Sequence, residues 1–130
     1  MDQGALVKEE IDAGAELIRQ FEQYAPVKAA FWMKASEKPF RYLYIASDEI
    51  TDKNFDLAYS EIIRIVKEMN DPNFGLFRVK VIGSNHPIAR DVLDIYRRHP
   101  NSGAINYRGR FLGDVAVDDA YIYPQTLVHS

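Results

Sequence analysis

Six polar residues are the candidates for chemistry in this chain, and four of them fall in one short stretch. The stretch VKVIGSNHPIAR is typical of a strand that runs into Gly83 and then into a helix that begins at Pro87. Backbone N–H groups at such a helix start attract anions, and neighbouring polar side chains can complete the site. The sequence therefore predicts a site for a small anion, in an enzyme or a sensor, at the 83–90 turn. Its candidate residues are Ser84, Asn85, His86, Arg90, Arg108 and Arg110.

The same turn also has a purely structural interpretation, because it lacks the glycine and lysine pattern of a phosphate-binding loop. Ser84 or Asn85 would then act only as the N-cap of the following helix. His86 is the strongest candidate for a catalytic histidine, since it follows a strand where α/β sites gather, but the spacing gives it no partner. We therefore assign no catalytic residue, and the pattern favours a protein that is not an enzyme.

Metal and cofactor chemistry finds no support in the residue pattern. His86, His99 and His129 have neither the HxxxH nor the HExxH spacing of a metal site. The acidic cluster that follows residue 47 lacks the glycine and the terminal glutamate of an EF-hand loop. The chain has no cysteine, which excludes disulfides, thiolate nucleophiles and cysteine-ligated metals. We predict no metal and no cofactor.

Positive charge is concentrated between residues 76 and 113, which hold seven basic side chains and two acidic ones, while the whole chain has a net charge of −3. Alternation would place Arg108 and Arg110 on one face of a strand, and Arg78 and Lys80 on one face of another. If those strands are neighbours, four cations line one surface. Such a surface fits an acidic protein partner, the acidic helix of the same chain or a second subunit. Our leading hypothesis is a non-enzymatic binding or interaction module that forms a homodimer.

Nucleic acid and membrane are the two partner classes that the sequence disfavours. Single-stranded nucleic acid is our third hypothesis, because arginines beside exposed aromatics bind such strands. The pI of about 5.6 and the lack of an RNP-type aromatic motif count against it. The start MDQGALVKEEIDAG has no signal-peptide pattern, and no stretch approaches the ~20 apolar residues of a membrane span. We expect a soluble, cytoplasmic protein with no membrane partner.

The elements that must position these residues are expected to form one α+β domain over residues 1–130. Apolar residues at helical spacing predict helices over 5–24, 53–69 and 87–98. Apolar or alternating runs predict strands over 27–35, 40–47, 76–82, 104–111 and 119–123. The order αββαβαββ predicts a mixed, mostly antiparallel sheet of about five strands covered by three helices.

Two aromatic groups have two interpretations each. Trp32 shares a strand face with Lys28 and Lys34, and Tyr121 shares one with Tyr123. Each group either forms a partly exposed patch at a homodimer contact or lies under a helix.

Overall fold

Helices and strands alternate along the chain in the predicted order αββαβαββ. The structure, a computed structural model, describes residues 6–71 and 78–128. The elements are α1 (Lys8–Glu22), β1 (Ala29–Ala35), β2 (Tyr42–Ser47), α2 (Phe55–Met69), β3 (Val79–Gly83), α3 (Pro87–Arg98), β4 (Ile105–Leu112) and β5 (Val115–Ile122). The predicted α+β class is confirmed, as are the three helices and five strands. Within the predicted third strand, residues 76 and 77 lie outside the described residues.

All five strands belong to one sheet with the order β3-β2-β1-β5-β4. Three neighbouring pairs are antiparallel, whereas β2 and β3 are parallel because α2 carries the chain back before β3 begins. The expected mostly antiparallel sheet is therefore better described as mixed. Since β3 and β4 lie at opposite edges, the condition for one surface with four cations is not met.

One face of the sheet lies under α1, and we call it the closed face. Trp32, Leu43 and Val79 are in register across it and are all buried. Helix α1 comes close at Gly14, where an added Cβ would meet the Trp32 indole and the Tyr123 hydroxyl. Trp32 and Tyr123 are thus buried, as the second interpretation predicts, whereas Tyr121 is partly exposed.

Polar groups on the closed face are paired inside the protein. The Trp32 indole Nε1 donates to the Tyr123 hydroxyl at 2.9 Å, and this hydroxyl donates to the Ile11 carbonyl oxygen at 2.7 Å. The Arg41 side chain is 3% exposed and binds the Asp119 carboxylate through Nε and Nη2. These contacts fasten α1, β1, β2 and β5 to one another, because a buried polar group without a partner is costly.

The opposite face, which we call the open face, is only partly covered. Helix α3 packs on it against β1 and β4. The face over β2 and β3 has no such cover from the described residues, and its side chains Tyr42, Tyr44, Lys80 and Ile82 are all partly exposed. Strand alternation thus gives β2 and β3 one buried set of side chains and one accessible set.

Candidate functional site

The predicted turn forms, but His86 takes the role that we expected of Ser84 or Asn85. Helix α3 begins at Pro87, and the His86 ring Nδ1 accepts a hydrogen bond from the Ile88 N–H at 3.1 Å. The Ser84 hydroxyl instead donates to the Asp48 carboxylate, across the parallel strands β2 and β3. The prediction of Ser84 or Asn85 as N-cap is therefore wrong, because an imidazole nitrogen can accept the same hydrogen bond as a short polar side chain.

Arg78 and Lys80 point to opposite faces of the sheet, so the prediction that they lie on one strand face is wrong. Arg78 Nη1 lies 2.7 Å from the Glu10 carboxylate of α1, and its guanidinium is 5.3 Å from the Trp32 ring centroid. Lys80 Nζ lies on the open face, 4.8 Å from the centroid of the Tyr42 ring. Because β3 begins only at Val79, the alternation of the strand does not extend back to Arg78.

Arg108 and Arg110 do not share a face either. Arg108 borders a hollow on the closed face beside Arg41 and Asp119. The Arg110 guanidinium lies 5.9 Å from the ring centroid of Tyr107, whose side chain is on the other face from its neighbour Arg108. Gly109 lies between the two arginines with φ +63°, a left-handed conformation that interrupts strand alternation. Regular alternation in this strand would turn Phe111 towards the core, but its side chain is 61% exposed.

The six candidate residues are therefore not brought together into one site. Arg90, Arg108 and Arg110 are exposed and make no ion pair with any residue within 6–71 and 78–128. Arg97 and Arg98 pair with Asp94 on their own helix. Of the six, only His86 lines the cavity described next, while Asn85 lines a smaller neighbour.

A cavity of about 970 Å³ lies on the open face above β2 and β3. Strands β2 and β3 form its floor, helix α2 forms one wall, and the start of α3 with β5 forms the other. We call it the tyrosine cavity, and its lining residues are Tyr42, Tyr44, Phe55, Tyr59, Ile63, Lys67, Val79, Lys80, Val81, Ile82, His86, Ile88 and Val115.

Helix α2 forms its wall through residues spaced four apart. Phe55, Tyr59, Ile63 and Lys67 fall on one stripe of the helix, which extends past the edge of β3. The Tyr59 hydroxyl accepts a hydrogen bond from the Val81 N–H at 3.0 Å and donates to the Val79 carbonyl oxygen at 3.4 Å. It thereby binds the outer edge of β3 and holds the wall in place. The Phe55 ring packs on Tyr59, with the centroids 4.9 Å apart.

The charged groups of this cavity are all potential cations. Lys67, Lys80 and His86 line it, and no carboxylate from the part of the chain that the structure describes does so. Since His86 Nδ1 accepts a hydrogen bond, the proton of the neutral ring is on Nε2, where it can donate. Burial raises the pKa of the Tyr44 and Tyr59 phenols, which are therefore neutral at physiological pH. The arrangement suits a ligand with an apolar body and a negative charge.

A metal site and a membrane-spanning helix find no support in residues 6–71 and 78–128. No group of three or more histidine, aspartate or glutamate side chains is placed to hold a metal ion there. No helix formed by these residues has the length and apolar character needed to cross a membrane.

Sequence reasoning missed most of this cavity. The sequence predicts that Tyr42 and Tyr44 lie on a strand, YLYIAS, that is apolar on both faces, and that Tyr59 lies on a helix, but it does not indicate that the three border one cavity. The signal that could have indicated the cavity combines two features. A strand that is apolar on both faces is followed by a helix that carries Lys67 at the end of an apolar stripe.

Comparison of the chain with protein-family models, with curated proteins and with solved structures finds no match.

Proposed function

We propose that this protein binds a small amphipathic anion in the tyrosine cavity. The observation that supports the proposal is a cavity of about 970 Å³ that combines an apolar, aromatic floor with two lysines. Its volume is in the range of about 300–1,000 Å³ that is usual for small-molecule sites. The proposal belongs to the same class as our sequence-based anion site, but with the anion over β2 and β3 instead of at Arg90.

The two parts of the ligand have different partners. The apolar body would lie on the rings of Tyr42 and Tyr44, where each Å² of buried apolar surface contributes about 25 cal/mol. The negative charge would meet Lys80, whose ammonium group is already held over the Tyr42 ring, 4.8 Å from its centroid. A cation that is held before binding loses less side-chain entropy when the anion arrives.

The positive charge of the tyrosine cavity also favours a small ligand over a second copy of the chain as its occupant. Two copies packed through this cavity would bring Lys67 and Lys80 towards like charges, with no carboxylate from the described lining residues to offset them. A homodimer therefore needs a different surface and stays a prediction. An acidic protein partner at Arg108 and Arg110 also stays a prediction, although the two side chains lie on opposite faces.

A matched pair of probes tests the proposal: 2-naphthoate and its neutral counterpart 2-naphthamide, titrated by calorimetry or by NMR. We expect 2-naphthoate to bind about tenfold more tightly, since a hydrogen bond to a charged group contributes about 1 to 1.5 kcal/mol more than the neutral one that the amide can form. Lys80→Met keeps the apolar stem and removes the charge, so it should bring the affinity for 2-naphthoate down to that for the amide.

Arg90→Met is the control, because Arg90 is an exposed cation that does not line the cavity. It should leave both affinities unchanged. Equal binding of the acid and the amide, or a loss in Arg90→Met but not in Lys80→Met, would contradict the proposal.

A further inference from the structure

A second cavity of about 390 Å³ adjoins the tyrosine cavity, where β3 ends and α2 begins. The two cavities share four lining residues, Phe55, Val81, Ile82 and His86. The remaining lining residues of the smaller one are Ile50, Thr51, Asp52, Gly83 and Asn85. The two cavities therefore adjoin at Phe55, and a ligand long enough to pass this ring would reach the smaller one.

The smaller cavity contains an acid, which the larger one lacks. Asp52 lines it together with the shared His86, and no lysine or arginine from residues 6–71 and 78–128 does. Two further acceptors lie above Gly83, because a Cβ added there would be 2.9 Å from Asn85 Oδ1 and 3.1 Å from the Ile50 carbonyl oxygen. Both residues line the smaller cavity, and a side chain at position 83 would press against these oxygen atoms.

The cationic and the acceptor regions lie at opposite ends of the combined site. Lys67 and Phe55 are twelve residues apart on α2, about 18 Å along the helix axis. Lys80 and Gly83 are three residues apart on β3, about 10 Å along the strand. Because α2 starts where β3 ends, both elements place their lysine away from the smaller cavity.

We infer that the two cavities form one bipolar site whose ligand is a zwitterion with an apolar body. Its anionic group meets Lys80, its body lies on the tyrosine rings, and its ammonium group meets Asp52 and the oxygen atoms above Gly83. An ammonium group suits this end because it offers three donors and a charge opposite to that of Asp52. The inference rests on the proposed function and names the class of ligand.

The test extends the same probe by one group, from 2-naphthoate to 6-(aminomethyl)-2-naphthoate, which carries its ammonium at the far end of the ring system. We expect the wild-type protein to bind the zwitterion about fivefold more tightly. Asp52→Asn should abolish this gain and leave the affinity for 2-naphthoate unchanged. Asp56→Asn is the matched control, since Asp56 is a nearby exposed acid that lines neither cavity, and it should retain the gain.

The outcomes separate the two ideas. If 2-naphthoate binds but the aminomethyl group brings no gain, or the gain survives in Asp52→Asn, the bipolar site is wrong and the anion site stands. If neither probe binds, the proposed function fails and the inference fails with it.

Discussion

The two faces of the sheet are built from the same strands, yet they use their polar groups in opposite ways. On the closed face, Trp32 Nε1 and the Tyr123 hydroxyl bind partners within the protein, and Arg41 is enclosed with Asp119. On the open face, Tyr42 and Lys80 are partly exposed and border a cavity. The contrast shows that adjacent side chains on one strand can have different roles, because they point to opposite faces: one stabilises the fold and the next is accessible to a ligand. Changes to the closed face should therefore alter unfolding, and changes to the open face should alter ligand affinity.

Alkaline pH should produce the largest loss of stability. Tyr96 and Tyr123 are 3% and 2% exposed, and burial raises the pKa of both well above the usual value of about 10. An unfolded chain releases these protons at lower pH than the folded protein, so the stabilisation is complete below about pH 10 and falls as pH rises further. The expected slope is about 1.4 kcal/mol per pH unit for each of the two phenols.

Urea unfolding followed between pH 9 and 11.5 measures this slope. Tyr96→Phe removes one of the two groups and should make the slope shallower, although it also removes the hydrogen bond to the Tyr123 carbonyl oxygen. A stability that stays level across this range would show that the folded protein does not hold these two phenols neutral.

Trp32→Ala should have the next largest effect, a loss of about 3–5 kcal/mol in the free energy of unfolding. The indole is fully buried, and its removal leaves both a void under Gly14 and a Tyr123 hydroxyl without one of its partners. Tyr42→Ala, on the open face, is the control and should cost far less because Tyr42 is partly exposed. Equal losses in the two variants would remove the distinction between the faces.

Tyr59→Phe should have the smallest effect, about 1 kcal/mol. The variant keeps the ring that lines the tyrosine cavity but loses the hydrogen bonds to Val79 and Val81. Chemical denaturation measures the loss, and the affinity for 2-naphthoate should stay within about twofold of wild type, since the wall keeps its shape. A large drop in affinity with unchanged stability would mean that the hydroxyl binds the ligand and not the strand.

The sequence predicted the local elements well because their signals are local. Helix α3 spans Pro87–Arg98 as expected, since proline suits the first turn and arginines suit the last. Strand β5 begins at Val115 and not at residue 119, because the alternating Val115 and Val117 extend it past Asp118 and Asp119, which resemble a polar turn. The prediction of one surface with four cations was wrong for a different reason. It required β3 and β4 to be neighbours and Gly109 to adopt an ordinary strand conformation.

The cavity depends on the packing of elements that are far apart in the sequence, which no local sequence pattern predicts. Its floor exists because α3 lies over β1 and β4, and not over β2 and β3. Its charge depends on which face Lys80 takes, and that follows from the parallel register that pairs Lys80 with Tyr44. A single sequence indicates that Tyr42 and Tyr44 are strand residues, but not that a helix leaves them uncovered.

The Tyr59 hydroxyl also limits how this protein can assemble. A strand edge with free N–H and C=O groups can recruit a strand from another molecule. At β3 the Val79 carbonyl oxygen and the Val81 N–H are already bound by Tyr59, whereas β4 at the other edge has no strand beside it among the described residues. Two copies joined through β4 would present a β3 edge with two of its groups occupied at each end of the combined sheet. Growth by strand addition would therefore be less favourable beyond a pair.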